Sequence, residues 1–244
     1  MPRFFVNKEL IGGGKIYIKD GDAHHIARSL RMAEGDEVTV SDGEGKEFFC
    51  RLTRIRDEEC ECEIISEEIS RAESPVDITL CMAYPKGDKL ETVIQKAVEL
   101  GVSRILPFES SRCIKRPKAE KIDKQLARLS KIAEEAAKQC GRAKIPEVLT
   151  PISYREMLKY TKDFEMTLFC YEAEEDSSVK NILKSRTRPA TCAVIVGSEG
   201  GFSEDEVKEA ILSGATVVSL GKRILRCETA PDYVLSAISY EYEL

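Results

Sequence analysis

Two domains are predicted for this chain, a small N-terminal β-barrel followed by a larger α/β domain. From Met1 to about Arg71 the sequence runs in short alternating segments broken by glycine turns, and after Val76 it changes to strand followed by helix. The segment between them, SRAESPVD, is polar and contains a proline, as linkers do. The length agrees, because 244 residues with 42% apolar and 33% charged side chains suffice for one large domain or two smaller ones.

Within the first domain, residues 1–71, the segments KIYIKD, DEVTVSDG, KEFFCRLTRI and CECEIIS alternate apolar with polar positions. Gly12 to Gly14, Gly35, Asp42-Gly43 and Gly45 supply the turns, and DAHHIARSLRM is the one helical stretch. Cys60 and Cys62 fall on alternate positions of a strand, and a C-x-C without a second pair, in a chain with two histidines, is poor zinc spacing. No metal is expected.

The second domain, residues 72–244, opens with strand ITLCMAYP, helix DKLETVIQKAVELG and strand SRILPF. Leu90, Val93, Ile94, Ala97, Val98 and Leu100 share one side of that helix, and Gly101 stops it. A long basic helix from about Ala119 to Cys140 follows, with Ile122, Leu126, Leu129, Ile132, Ala133 and Ala136 inward and Gly141 at its end. Next come strand EMTLFCYE, helix VKNILKS, strand TCAVIV, helix EDEVKEAILSG, strand TVVSL and a last helix from about Ala230. Ser203 with Glu206 reads as a capping box, and Thr229 with Asp232 resembles one.

No apolar run approaches the roughly 18 residues that span a bilayer, and MPRFFVNKEL lacks the apolar stretch of a secretory signal. A cytoplasmic protein is expected, so the nine scattered cysteines read as reduced thiols. The net charge of -6 is opposite to that of a nucleic-acid binder, but the average conceals a gradient. Arg112 to Lys144 holds eleven basic residues against four acidic ones, either a solvated helix face or a phosphate-gripping surface.

Two loops stand where α/β proteins bind ligands. Val196-Gly197-Ser198-Glu199-Gly200-Gly201-Phe202 follows an apolar strand and precedes a capped helix, and its glycines let backbone approach a ligand. It lacks both the G-x-G-x-x-G of a dinucleotide site and the G-K-[ST] of a phosphate loop, which argues against an oxidoreductase. The second loop, Leu220-Gly221-Lys222-Arg223-Ile224-Leu225-Arg226-Cys227-Glu228-Thr229-Ala230, has the same setting. If their strands are neighbours, Ile224 and Leu225 can hold an adenine while Arg223 and Arg226 reach a polyanion. Each loop taken alone also reads as a structural turn.

With these residues the chain resembles the RsmE family of 16S rRNA (uracil-N3) methyltransferases in the SPOUT superfamily, whose members carry a G-P-E-G-G-[FL] loop and an L-G-x-R-I-L-R-x-E-T-A loop. The likeness covers nearly the whole chain, through PRFFV, His24-His25-Ile26, Leu30-Arg31, Gly35-Asp36, Lys96 to Val102, Glu135-Ala136-Ala137, Gln139, Arg142 and Pro146. It implies a PUA-like RNA-binding barrel, a SPOUT domain with a deep trefoil knot, a homodimer and S-adenosyl-L-methionine as cofactor. The substrate it implies is a uridine of 16S ribosomal RNA, free or in the assembled small subunit, methylated at N3. Periodicity alone leads only to a doubly wound sheet, since knots are essentially absent from ordinary proteins.

Carried over by position, the resemblance assigns the cofactor to Gly197, Glu199, Gly200 and Gly201 and to Leu220, Gly221, Ile224, Leu225 and Cys227. Two departures stand out: Ser198 occupies the usual proline position, and Pro231, Asp232 and Tyr233 replace small residues beside the implied dimer contact. Methylation at N3 requires loss of the N3 proton. Arg226 cannot be a base in proteins and is the candidate for stabilising the uracil anion. Glu228 or Glu199 is the candidate proton acceptor, although either can instead cap a backbone loop. N3 lies on the pairing edge, so the base must be exposed or flipped. The candidate RNA contacts are Arg3, Arg28, Arg31, Arg116, Lys131, Lys138, Gln139 and Arg142; His24 and His25 read as packing or RNA contact. Ribose 2′-O-methylation and a binding module without catalysis are the rival readings.

Overall fold

The computed structural model describes residues 1–114 and 119–244, and the chain forms two compact units, one of Met1–Glu73 with Ala137–Ile145 and one of Ser74–Ala136 with Pro146–Leu244. In the first unit the alternating segments become a six-stranded curled sheet. Its strands are β1 (Arg3–Phe5), β2 (Ile11–Gly12), β3 (Lys15–Lys19), β4 (Glu37–Ser41), β5 (Lys46–Ile55) and β6 (Glu59–Ile69), in the order β1-β4-β5-β6-β3-β2. Every pairing is antiparallel except β1 with β4. Ile16, Ile18, Val38, Val40, Leu52, Cys60 and Cys62 turn inward on this alternation and close one apolar core. Burial pushes the Cys62 thiol up to about 12. Register shifts between Phe49 and Cys50 and between Leu52 and Arg54 are bulges that bend β5, and bending is what curls the sheet.

The predicted helical stretch is α1 (Asp20–His24), which runs on into a π-helical turn over His25–Ser29. Ile26 points into the core, whereas His24 and His25 are exposed, which removes packing as their role. The turn closes with the amide of Met32 donating to the carbonyl of Ile26 at 3.1 Å, and this places Arg31 in the left-handed region at φ 51°. Glycine is the residue that takes this position without strain.

The second unit is built on a seven-stranded parallel sheet. In chain order its elements are β7 (Asp77–Ala83), α2 (Lys89–Glu99), β8 (Arg104–Glu109), α3 (Ile122–Cys140), β9 (Glu147–Val148), β10 (Ile152–Ser153), α4 (Tyr154–Tyr160), β11 (Met166–Cys170), α5 (Val179–Ser185), β12 (Thr191–Val196), α6 (Glu204–Leu212), β13 (Thr216–Val218) and α7 (Thr229–Tyr242). The strand order is β10-β8-β7-β12-β11-β13, with β9 also on β8. β7, β11 and β12 are almost continuously apolar because helices cover both faces of a parallel sheet. α2 buries Leu90, Val93, Ile94, Ala97 and Val98 and ends before Gly101 at φ 87°.

One sequence expectation is corrected here, and one open condition is answered. The Ser203 box forms, with Glu206 N donating to Ser203 Oγ at 3.2 Å and Ser203 N donating to Glu206 Oε2 at 2.9 Å. The Thr229 box does not: α7 is capped at Glu228 without a side-chain bond, and Asp232 instead takes Lys96 Nζ at 2.8 Å. The strands preceding the two candidate loops are also not neighbours, because β11 lies between β12 and β13. α4, capped by a Ser153–Glu156 box, is too short to show a helical period, and S-x-x-E at Ser153 is the one local signal of its start.

Candidate active site

Parallel strands carry their following loops to one end of the sheet, so the turns after β11, β12 and β13 converge there. A cavity of about 500 Å³ lies among them, within the size range of small-molecule sites. Gly197, Glu199 and Gly201 line it from the loop after β12, and Leu220, Gly221, Ile224, Leu225, Arg226 and Cys227 from the loop after β13. Tyr171 and Glu172 after β11, and Lys89 at the start of α2, complete the wall. Those last three were missed by motif reading, since no local pattern marks them.

The glycine loop has its shape because a ring lies behind it. Phe202 is fully buried against Phe169, with ring centroids 4.2 Å apart, and stacks over Phe108 at 6.4 Å. A Cβ on Gly197 would stand 3.1 Å from the Phe202 ring, and one on Gly201, at φ 62°, would stand 2.3 Å from Glu172 Oε1. Between them Gly201 N donates to Ser198 O at 3.0 Å, closing a tight turn. Gly200 is the exception among the predicted cofactor residues: it is not in the cavity wall and packs on Arg112, whose Nη1 donates to its carbonyl at 3.1 Å. Glu206 anchors this loop by also accepting Ser111 N at 2.7 Å and Ser111 Oγ at 2.8 Å.

The second loop is held at both ends. Ser219 N donates to Ser177 O at 2.7 Å, and the amides of Thr229 and Ala230 donate to Arg226 O at 2.8 and 2.9 Å, starting α7. Arg226 is exposed at the cavity, and its guanidinium has no hydrogen bond or ion pair among the described residues. Ile224, 84% exposed, stands at the cavity mouth.

The two candidate acids meet at one lysine. Lys89 Nζ lies 3.0 Å from Glu199 Oε1 and 3.2 Å from Glu228 Oε2. Desolvation raises the pKa of each acid, but for Glu199 the Lys89 ammonium and backbone amides outweigh it, and for Glu228 a backbone amide, the Cys227 thiol and Lys89 do so. Both therefore sit below the ordinary carboxylate value. Cys227 is driven the other way by burial and by its bond to Glu228, up to about 12, so it stays a thiol. Ser198 is buried in the cavity wall, and its Oγ has no hydrogen-bond partner. An orphaned hydroxyl beside a glycine cradle fits a polar ligand carrying both donors and acceptors, as S-adenosyl-L-methionine does.

The predicted RNA contacts separate by what they already hold. Arg31 and Lys131 are exposed with no ion pair among the described residues, and Gln139 is exposed. Arg28 is exposed but paired with Asp57. Arg3 pairs with Glu47 at 3.0 Å, and Lys138 with Asp22 at 3.1 Å, both with little side-chain exposure. Arg142 is 4% exposed and bound to Glu73 at 2.7 Å, so the phosphate grip read for it is replaced by a structural bracket inside the first unit. Arg116 lies outside the described residues.

Comparison with known proteins agrees with this geometry. Residues 72–239 match a family model described as an RNA methyltransferase domain, and residues 18–65 match an RNA methyltransferase PUA domain. The chain is 35% identical to the ribosomal RNA small subunit methyltransferase E of Bacillus subtilis (strain 168), over 100% of this chain and 98% of that protein. It is 31% identical to the protein of the same name in Synechocystis, over 97% of this chain and 77% of the relative. The crystal structure of a ribosomal RNA small subunit methyltransferase E from Neisseria gonorrhoeae bound to S-adenosyl methionine superposes with a TM-score of 0.88 at 35% identity, covering 98% of this chain and 97% of that one. A Legionella pneumophila structure in complex with the bound cofactor SAM gives 0.86 at 30% identity, covering 98% of this chain and 96% of that one.

Proposed function

Since the chain belongs to the ribosomal RNA small subunit methyltransferase E family, we propose that it transfers a methyl group from S-adenosyl-L-methionine to N3 of a uridine in 16S ribosomal RNA. The observation that carries this reading is the cavity walled by the loops after β11, β12 and β13, with the unpaired Arg226 guanidinium at its edge. Gly197, Gly201, Leu220, Gly221, Leu225 and Cys227 would hold the cofactor, which when bound supplies an electrophilic methyl group on a sulfonium.

The residues of the chain have to expose N3 and free its lone pair. Arg226 presents planar donors to a uracil carbonyl oxygen and lowers the energy of the anion left when the N3 proton departs. Glu199 and Glu228 are both ionised and hence competent to accept that proton, but each lies below its ordinary pKa and holds a proton weakly. Anion stabilisation by Arg226 therefore carries more of the step than proton abstraction does. The π-helical turn and strained Arg31 of the first unit support reading residues 1–71 as the RNA-binding domain and 72–244 as the methyltransferase domain, with Lys131 and Gln139 adding contacts from α3.

A homodimer is part of the proposal. Tyr233 and Tyr240, seven residues apart on one face of α7, are 46% and 72% exposed, an aromatic stripe suited to a second copy. No helix among the described residues is long and apolar enough to cross a membrane, and action on ribosomal RNA supports reading the protein as cytoplasmic.

The test is methyl transfer from labelled S-adenosyl-L-methionine to small ribosomal subunits lacking N3-methyluridine, with nucleoside analysis and Arg226→Ala as the control. Labelled N3-methyluridine that disappears with Arg226→Ala is the expected result. Label on a ribose, or cofactor binding with no transfer to any ribosomal RNA, would refute it.

A further inference from the structure

Lys89 begins α2, far in sequence from both ligand loops, yet its ammonium meets all of their acidic groups. Nζ stands 3.0 Å from Glu199 in the loop after β12 and 3.2 Å from Glu228 in the loop after β13, and it donates to Cys227 Sγ at 3.9 Å. An ammonium has three protons to offer, as many as it has partners here. Glu199 is gripped a second time from the same segment, since Lys86 N donates to its Oε1 and Oε2 at 3.2 and 3.3 Å. Glu228 is gripped a second time by the Cys227 thiol at 3.2 Å.

We infer that Lys89 is a positioning residue, fastening the two loops to one point through Glu199 and Glu228 so that the cofactor cavity is formed before its ligand arrives. The inference rests on the cofactor reading above. An isolated surface ion pair would do little, but here one cation joins two carboxylates on separate loops, so its loss leaves like charges facing each other. Of the other charged and titratable groups, Lys96 of α2 lies close enough to feel Glu228 but is bonded to Asp232 of α7, Cys227 stays a thiol, and Glu172, Arg223 and Arg226 line the same cavity without an ion pair to Glu199 or Glu228 among the described residues. None of them can take over the bridge.

The probe is S-adenosyl-L-methionine itself, titrated calorimetrically into the wild type, Lys89→Met, Lys89→Arg and Lys89→Met/Glu228→Gln at pH 6 and pH 8, with amide hydrogen exchange of the ligand-free proteins. Lys89→Met should bind about tenfold more weakly at pH 8 and recover part of that at pH 6, where protonation relieves the carboxylate pair. The double variant should regain most of the loss, and Lys89→Arg should stay close to wild type. Amides of residues 196–202 and 219–228 should exchange about tenfold faster in Lys89→Met. Unchanged exchange in both loops, or a double variant no better than Lys89→Met, overturns the inference. If the wild type shows no binding but Lys89→Met still loosens both loops, the positioning role stands and the cofactor reading alone fails.

Discussion

Gly200→Ala isolates the space the glycine loop needs from the backbone freedom it needs. Gly200 does not lie in the left-handed region, so alanine meets no backbone strain there. Its Cβ would, however, stand 2.9 Å from Arg112 Cβ and 3.1 Å from Arg112 O. Carbon atoms pack at about 3.5–4.0 Å, so the loop must retreat by roughly 0.6 Å or more. Overpacking of this kind costs about 1–3 kcal/mol, which lowers Tm by roughly 2–12 °C in a domain of this size. A displacement approaching 1 Å beside the chemistry costs up to about 100-fold, so kcat/KM should fall at least about tenfold. Differential scanning fluorimetry and methyl-transfer kinetics measure both. Adding Arg112→Gly removes the 2.9 Å contact but leaves the carbonyl at 3.1 Å and gives up the bond from Arg112 Nη1 to Gly200 O, so only part of each loss should return. Wild-type Tm and kcat/KM in Gly200→Ala would refute the packing argument.

Three further outcomes follow from the geometry. Arg142→Ala leaves the partly buried Glu73 with only the Ala143 and Lys144 amides as partners among the described residues, so it should destabilise the protein by about 1–3 kcal/mol in urea unfolding while leaving the salt dependence of RNA binding unchanged. A reduced salt slope with intact stability would return Arg142 to the RNA surface. Arg31→Gly should do the reverse: relief of the left-handed backbone stabilises by about 1 kcal/mol, while loss of one phosphate contact weakens RNA binding and lowers the salt slope by about one. Glu199 and Glu228 are both depressed below 4.5, so the interactions that depress them are fully present above that pH and are lost as pH falls through the lower, folded values. Cofactor affinity should accordingly be level from about pH 6 to 8 and fall only in acid below about 4.5. A midpoint above pH 5.5 in a calorimetric series would contradict the Lys89 geometry.

Local patterns were legible in the sequence to the extent that chemistry is local. Period-two alternation gave β3 to β6, the apolar runs gave β7, β11 and β12, and S-x-x-E at Ser203 gave the start of α6. The same template failed at Thr229, because Asp232 had a stronger partner in Lys96, a residue distant in sequence. The basic run could not reveal that Arg142 is buried on Glu73, since burial depends on where the chain returns. The two ligand loops were legible as loops, but the placement of β11 between their strands was not, and with it went Tyr171 and Glu172. Lys89 stands in an ordinary helix start, and only folding brings it to Glu199 and Glu228.

If the cavity among the loops after β11, β12 and β13 holds S-adenosyl-L-methionine, co-crystallisation with that cofactor will find it there. Density is expected bounded by Gly197 and Gly201 on one side and by Leu220, Leu225 and Cys227 on the other, with Ser198 Oγ within hydrogen-bond distance of the ligand. Well-ordered cofactor bound elsewhere, with this cavity unchanged, would contradict it.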